Sequence, residues 1–248
     1  MKTRIFALFL ALLSLLSLAS CQKGSPAWLY ENALEKLEEA NGMAANVRTM
    51  YSFNAGDHIE SYDENVTVKY SGDKISLLSD EYEILYIDGV MYMTKGDTKA
   101  KKTLTKEEFN AKYGGDVLVT PRFPQIPKDA YKDVLLKQSG DSRFFTVKLD
   151  PASVQDYVDS VYGELVPNPD ESVADIQFLN VVITATFDQK DTMTKLHIKL
   201  EVRERVADSY VMDITIDTYF SFIDFGITPD IVIPSDADSY VSIDGLDE

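Results

Sequence analysis

Residues that could carry catalysis are few in this chain. His58 and His197 are its only histidines. His197 falls on the polar side of an alternating strand pattern, and His58 lies in a turn-like sequence where Asp57 could pair with it, so we predict that both are surface imidazoles rather than general bases. The chain has no G-x-S-x-G, Walker A or H-E-x-x-H motif. We therefore predict no catalytic residues and no enzyme, although a pair of carboxylates brought together by folding stays open as a hydrolase site.

Metal-binding chemistry is equally sparse. One cysteine and two separated histidines do not make a zinc site, and the single cysteine excludes an internal disulfide. The acidic stretches 236–238 and 244–248 offer oxygen ligands without the twelve-residue order of an EF-hand. We predict a solvated acidic end, no metal and no cofactor, and leave calcium binding there open.

The charge balance excludes one class of partner. The 248 residues include 24 basic and 41 acidic side chains, which give a formal charge of −17. Nucleic-acid affinity comes mostly from Lys and Arg side chains that neutralise phosphates, so we expect no nucleic-acid partner. The apolar fraction of 45% and the aromatic fraction of 11% still predict a folded chain with a sizeable core.

The single cysteine follows an N-terminal segment built like a secretory signal. Lys2 and Arg4 precede the apolar stretch 5–19, which is shorter than a membrane-spanning helix. The sequence Leu18-Ala19-Ser20-Cys21 resembles the bacterial lipoprotein lipobox. The resemblance implies cleavage before Cys21, acyl chains such as palmitate on its thiol, and acylation of the new N-terminus. The alternative is a free thiol after an ordinary signal peptidase site.

Such processing predicts a location and a set of segment boundaries. Several acyl chains, at about 0.8 kcal/mol per buried methylene, would hold the protein stably on the extracytoplasmic face of the cell membrane. Removal of residues 1–20 also removes Lys2 and Arg4 and leaves a charge of −19. The predicted segments are a signal peptide at 1–20, a lipidated tether at 21–25, one folded domain at 26–243 and an acidic end at 244–248.

Helices are predicted where caps precede an apolar stripe. Ser25-Pro26 opens the first helix, for which Gly42 is the expected C-cap. A capping box at 105–108 opens the second. A short helix could form within 128–136, and the clearest helix begins at Asp150-Pro151 and is expected to end at Gly163.

Strands dominate the rest of the chain. Asp88-Gly89 is a two-residue hairpin signal between two apolar runs. Three successive stretches near 181–188, 196–203 and 212–220 alternate apolar and polar side chains, which predicts an antiparallel meander with one face covered. No βαβ order occurs, so a parallel nucleotide-binding sheet is disfavoured.

Together these patterns predict an α+β fold: a curled antiparallel sheet, or half-barrel, with helices packed on its concave apolar face. If the curl is partial, the concave side keeps an apolar interior. The side chains that we predict to line it are Val66, Val68, Tyr70, Tyr86, Ile183, Phe187, Leu196, Ile198, Leu200, Ile214, Ile216 and Phe220.

The order of these features resembles a known group. The lipobox, the N-terminal helix, the Asp88-Gly89 hairpin and the stretch FGITPDIVIP at 225–234 are similar to the Lol-type lipoprotein-carrier and LppX-like superfamily, and look closest to uncharacterised Gram-positive lipoproteins. The resemblance implies a half-barrel around helices, with a hydrophobic cavity that holds acyl chains in characterised members. It supplies no catalytic residues, and it implies that the segment 117–140 covers the cavity.

Two hypotheses about function follow. In the first, the lipoprotein binds or carries a hydrophobic or amphiphilic, lipid-like ligand in the half-barrel. In the second, its own side chains fill the core, and the outer face contacts another envelope protein. The volume and lining of the interior distinguish them, and the sequence alone does not choose between a Gram-positive surface and a periplasm-facing membrane.

Overall fold

A computed structural model describes residues 23–113, 123–165, 173–206, 210–225 and 228–244. Its strands are β1 (Gly42–Ala55), β2 (His58–Ser71), β3 (Lys74–Ser79), β4 (Tyr82–Ile87), β5 (Val90–Lys95), β6 (Thr98–Thr103), β7 (Lys137–Ser139), β8 (Ser142–Leu149), β9 (Val173–Phe187), β10 (Met193–Val206), β11 (Tyr210–Phe225) and β12 (Val241–Ser242). Its α-helices are α1 (Pro26–Glu39), α2 (Lys106–Tyr113) and α3 (Gln155–Leu165), and 3-10 turns lie at Lys128–Tyr131, Pro151–Val154 and Ala237–Ser239.

The strands form one sheet in the order β12-β6-β5-β4-β3-β2-β1-β11-β10-β9-β8-β7. Neighbouring strands are antiparallel except β12, which runs parallel to β6. Because β1 pairs with both β2 and β11, the two halves of the chain meet in the middle of the sheet. The open sheet with helices on one face confirms the predicted α+β class.

Alternation along the strands decides which face the helices cover. On β10, the side chains of Leu196, Ile198 and Leu200 are buried, whereas those between them are more exposed. We call the helix-covered face concave and the opposite face convex. The meander predicted for the last three long strands is confirmed by the continuous β9–β10–β11 pairing.

Local turn chemistry fixes the hairpins. Asp88 and Gly89 both have positive φ, 52° and 82°, as a two-residue turn between β4 and β5 requires. Asp191 has φ 62° in the turn from β9 to β10. The first turn lies at the Asp88-Gly89 signal that the sequence predicts.

The starts of α1 and α2 are confirmed, whereas Asp150-Pro151 opens a 3-10 turn and α3 begins only at Gln155. Two predicted ends are wrong. The Ser25 hydroxyl accepts a hydrogen bond from the Trp28 amide at 3.2 Å. Helix α1 ends at Glu39 with Ala40 as its C-cap, because Gly42 already belongs to β1. Helix α3 continues past Gly163 to Leu165, since one glycine costs a helix only about 1 kcal/mol and does not by itself end it.

The capping box at the start of α2 forms as predicted. The Thr105 hydroxyl accepts from the Glu108 amide at 3.2 Å, and the Glu108 carboxylate accepts from the Thr105 amide at 2.8 Å. The helix then buries Phe109 against Tyr86, with the two rings stacked at 4.7 Å. In the predicted short helix, only Lys128–Tyr131 is helical, as a 3-10 turn.

The buried side chains form three clusters. The α1/α3 core lies on the concave face between those helices and strands β8 to β11. The α2 core lies on the concave face of β2 to β5. The convex core lies on the opposite face of β4 and β5, and consists of Leu85, Ile87, Tyr92, Ile231 and Tyr240.

The C-terminal segment 228–244 covers this third cluster. Its Tyr240 hydroxyl lies 2.8 Å from that of Thr94, and β12 pairs with β6. Asp236 forms an ion pair with Lys99, and the Asp244 carboxylate accepts from the Thr103 amide at 2.8 Å. These two acidic residues therefore pair with β6 while remaining exposed to solvent.

Candidate functional site

All twelve side chains predicted to line a cavity lie on the concave face, but in two separate cores. The α2 core holds Val66, Val68 and Tyr86, with Tyr70 packed against it. The α1/α3 core holds Ile183, Phe187, Leu196, Ile198, Leu200, Ile214, Ile216 and Phe220. All except Tyr70 are buried. In this conformation, these residues pack against the protein's own helices and against one another.

Part of the expected covering segment does lie over the α1/α3 core. Its described residues begin at Phe123, whose ring meets those of Phe220 and Phe222 edge-on at 5.2 and 6.2 Å. The Tyr30 hydroxyl of α1 donates a hydrogen bond to the Pro124 carbonyl at 3.1 Å, and Ile126 is buried below. Residues 114–122 lie outside the described part of the chain.

An aromatic layer connects this segment to the sheet. Phe145 of β8 stacks on Phe187 at 6.1 Å and meets Tyr30 and Tyr131 edge-on at 6.2 and 6.0 Å. Burial raises the pKa of both tyrosine hydroxyls well above its usual range, so both rings stay neutral. Among the described residues, the Tyr131 hydroxyl is buried with no hydrogen-bond partner.

Along β1, starting where the two cores meet and continuing beside the α1/α3 core, runs a strip of partly exposed side chains that the sequence alone does not single out. This concave strip consists of Val47, Thr49, Tyr51 and Phe53 of β1. Val47 packs against both cores, so the apolar face is continuous across the strip. The signal in the sequence is weak, because Met50 between Thr49 and Tyr51 interrupts the alternation of apolar and polar residues.

The strip ends in a pocket of about 310 Å³, a volume at the lower end of small-molecule sites. Its walls are Phe53, Ala55, His58, Glu60, Tyr62 and Met212. The Phe53 and Tyr62 rings meet edge-on at 5.9 Å. Hydrogen bonds from His58 and Tyr62 lower the pKa of the Glu60 carboxyl, so the pocket joins an apolar wall to a carboxylate.

Both histidines lie at the surface, as predicted, with partners of their own. His58 pairs with Glu60 at 2.8 Å rather than with Asp57. His197 lies on the convex face, 2.6 Å from an Asp217 oxygen, and stacks on Tyr219 at 4.1 Å.

The convex face carries a larger but polar groove. It encloses about 640 Å³ and is lined largely by amide, hydroxyl and charged side chains, including Arg48. The Arg48 guanidinium binds Asp63 with hydrogen bonds of 2.6 to 3.0 Å, which lowers the pKa of that carboxyl. This groove does not provide an apolar surface comparable to the concave strip.

Within the described ranges, no group of three His, Cys, Asp or Glu side chains is arranged to hold a metal ion. No helix in the same ranges is long and apolar enough to cross a membrane. Cys21 and the signal segment lie outside the described residues, as do residues 245–248.

No family model and no curated protein matches the chain, but solved structures align with it. LprF from Mycobacterium bovis is 12% identical over 84% of this chain and 95% of its own, with a TM-score of 0.38. A LolA superfamily protein from Nitrosomonas europaea is 11% identical over 81% and 97%, with a TM-score of 0.23. A DUF1329 family protein from Desulfovibrio piger is 10% identical over 79% and 92%, with a TM-score of 0.23. At such identities and TM-scores, no family, ligand or residue role is carried over to this chain.

Proposed function

We propose that the protein is a lipoprotein held on the extracytoplasmic face of the membrane by lipidated Cys21, and that it binds a hydrophobic or amphiphilic, lipid-like ligand on its concave face. One observation carries the ligand proposal. The two cores share one apolar face through Val47, and the rest of the concave strip, which continues along β1 beside the α1/α3 core, is only partly buried.

The dimensions of the strip suit an elongated apolar ligand. From Val47 to Phe53 it spans six residue steps, or about 20 Å at the rise of an antiparallel strand. A chain lying along it would bury apolar surface on Val47, Tyr51 and Phe53, at about 25 cal/mol per Å². The pocket at its end is lined by the Glu60 carboxylate and the Tyr62 hydroxyl, which in this proposal would contact a polar head group.

A matched pair of variants on β1 tests this placement. Phe53→Asp puts a carboxylate on the concave strip. Asn54→Asp puts the same carboxylate at the next residue of β1, which is exposed and points to the convex face. We expect Phe53→Asp to weaken binding of an apolar fluorophore about tenfold or more, because a carboxylate must lose water to contact an apolar chain. Asn54→Asp should bind like the unchanged protein.

The measurement is a fluorophore titration with thermal unfolding as the check on folding. If both variants bind alike while both remain folded, the ligand does not lie on the concave strip. Thr49→Asp, in the middle of the strip, provides a second folded variant should Phe53→Asp unfold.

The anchor has its own test. Cys21→Ser removes the thiol that would carry the lipid, so we expect the protein to leave the membrane fraction or to keep its signal segment. Fractionation and mass measurement report both outcomes. Normal processing with unchanged membrane retention in this variant would show that Cys21 is not the anchor.

A second candidate has an observation in its favour. Eleven of the twelve predicted lining residues are buried inside packed cores, as expected of an envelope protein that binds a protein partner with a filled interior. In that case large-to-small changes in either core would lower stability and leave fluorophore binding unchanged. Neither candidate gives any residue a catalytic role.

A further inference from the structure

The long strands project beyond the rest of the sheet and leave one edge unpaired. β2 pairs with β3 only from Val66 to Ser71, because β3 ends at Ser79 and the chain turns back into β4. The first eight residues of β2, 58–65, pair with β1 on one side. On their other side, the described part of the chain places no strand.

This edge has free backbone groups and accessible side chains. In an antiparallel pair, every second residue directs its N–H and C=O away from the partner strand, so residues 58–65 present such groups outward. All eight side chains are exposed, and Ile59 and Tyr62 are 66% and 59% exposed. A strand edge of this kind binds an extended chain by continuing the hydrogen-bond ladder.

The charged side chains of residues 58–65 indicate what kind of chain could pair with this edge. Asp63 points to the convex side and is neutralised by Arg48. Glu60 and Glu64 point to the concave side with Tyr62 between them. Glu60 interacts with His58 and Tyr62, and Glu64 accepts a hydrogen bond from Tyr82 at 3.1 Å. A second copy would place its own carboxylates against these, on a chain whose charge is already −17.

We propose that the edge of β2 at residues 58–65 is a docking site for an extended segment of a partner protein that carries basic side chains. On the concave side of the added strand, two basic residues four positions apart would face Glu60 and Glu64, with an apolar residue between them over Tyr62. Glu60 and Tyr62 also line the pocket at the end of the concave strip, so a ligand head group and a docked segment would compete for them. The docking test therefore uses protein without added lipid, in which peptide binding is measured apart from ligand binding.

The test uses the full chain and the peptide Thr-Lys-Thr-Val-Thr-Lys-Thr, blocked at both ends. Its control is the same peptide with every backbone amide N-methylated, which keeps the charges and removes the donors. We expect the first peptide to protect amides of residues 58–65 from hydrogen exchange, and the control to bind about tenfold more weakly or less.

Charge variants separate docking from general attraction. Glu60→Gln with Glu64→Gln should weaken the peptide about three- to tenfold. Glu31→Gln with Glu35→Gln removes the same charge from exposed positions of α1 and should change affinity less than about twofold.

Four outcomes would overturn the proposal. Equal affinity of the N-methylated peptide would show that charge alone attracts it, and protection confined to other segments would place the site elsewhere. Protection of 58–65 that rises with protein concentration without peptide would make a second copy the occupant. No binding at millimolar peptide would show that the edge does not bind extended segments with basic side chains.

Discussion

Phe187→Ala is expected to lower the free energy of unfolding by about 3–5 kcal/mol. Phe187 is fully buried in the α1/α3 core and stacks on Phe145 at 6.1 Å. Truncation removes its apolar contacts and leaves a cavity between β9 and β8 that the flanking strands can close only in part. Urea unfolding followed by circular dichroism measures the change.

Phe144→Ala is the matched control for this variant. Phe144 precedes Phe145 on β8 but is only partly buried and points to the opposite face. The same change in volume there should cost less than about half as much. If Phe187→Ala costs no more than Phe144→Ala, Phe187 lines open space rather than a packed core.

Tyr162→Phe is expected to lower the free energy of unfolding by about 1–3 kcal/mol. The Tyr162 hydroxyl of α3 donates a hydrogen bond of 2.5 Å to the Glu204 carboxylate on β10, and Glu204 is only 3% exposed. Burial and, to a smaller extent, the hydrogen bond to the Glu204 carboxylate raise the pKa of the Tyr162 hydroxyl, so this hydroxyl stays protonated and donates its hydrogen bond at neutral pH. Removing the hydroxyl deprives a buried carboxylate of this partner at the point where α3 meets the sheet.

A double-mutant cycle isolates that interaction. Glu204→Leu removes the carboxylate, so adding Tyr162→Phe to it should cost less than it does alone. Replacing both polar groups by apolar ones of similar size can be nearly neutral. Strictly additive effects of the two single changes on unfolding would show that the hydrogen bond contributes nothing to stability.

The concave face could be predicted because the order of apolar and polar residues along its strands shows which side of each strand is buried. Leu196, Ile198 and Leu200 alternate with polar residues, and such a pattern fits only a strand with one covered side. The residues 58–65 could not be predicted in the same way, because all eight are exposed. Because neither face of this segment is buried, its sequence does not alternate between apolar and polar residues. Its acidic side chains therefore give no indication that it forms a strand with an unpaired edge.

Other elements depend on contacts distant in sequence. β6 contains Lys99, Lys101 and Lys102 among its six residues and has no apolar pattern. It is a strand because β5 pairs with it on one side and the C-terminal segment adds β12 on the other. β9 begins at Val173, although the Pro- and Asp-rich sequence 167–175 by itself predicts a loop, because β10 is long enough to pair with it there.

Sequence also does not separate a packed core from a cavity wall. Ile183 or Phe220 would be apolar in either case, since both environments exclude water from the same face of the strand. Which one forms depends on where α1, α3 and the segment after Phe123 pack. The concave strip stays partly open because Tyr51 and Phe53 lie at the margin of the α1/α3 core, opposite exposed residues of β2.

The central claim is that the concave strip holds a lipid-like ligand, and native mass spectrometry tests it most directly. Cys21→Ser protein recovered outside the membrane fraction, with its signal segment removed and purified without detergent, should carry a noncovalent adduct of lipid-like mass that dissociates on activation. That adduct should be lost in Phe53→Asp and kept in Asn54→Asp. A folded protein that has only its own mass, and takes up no added fatty acid or phospholipid, would contradict the claim and leave the filled-core interaction module as the function.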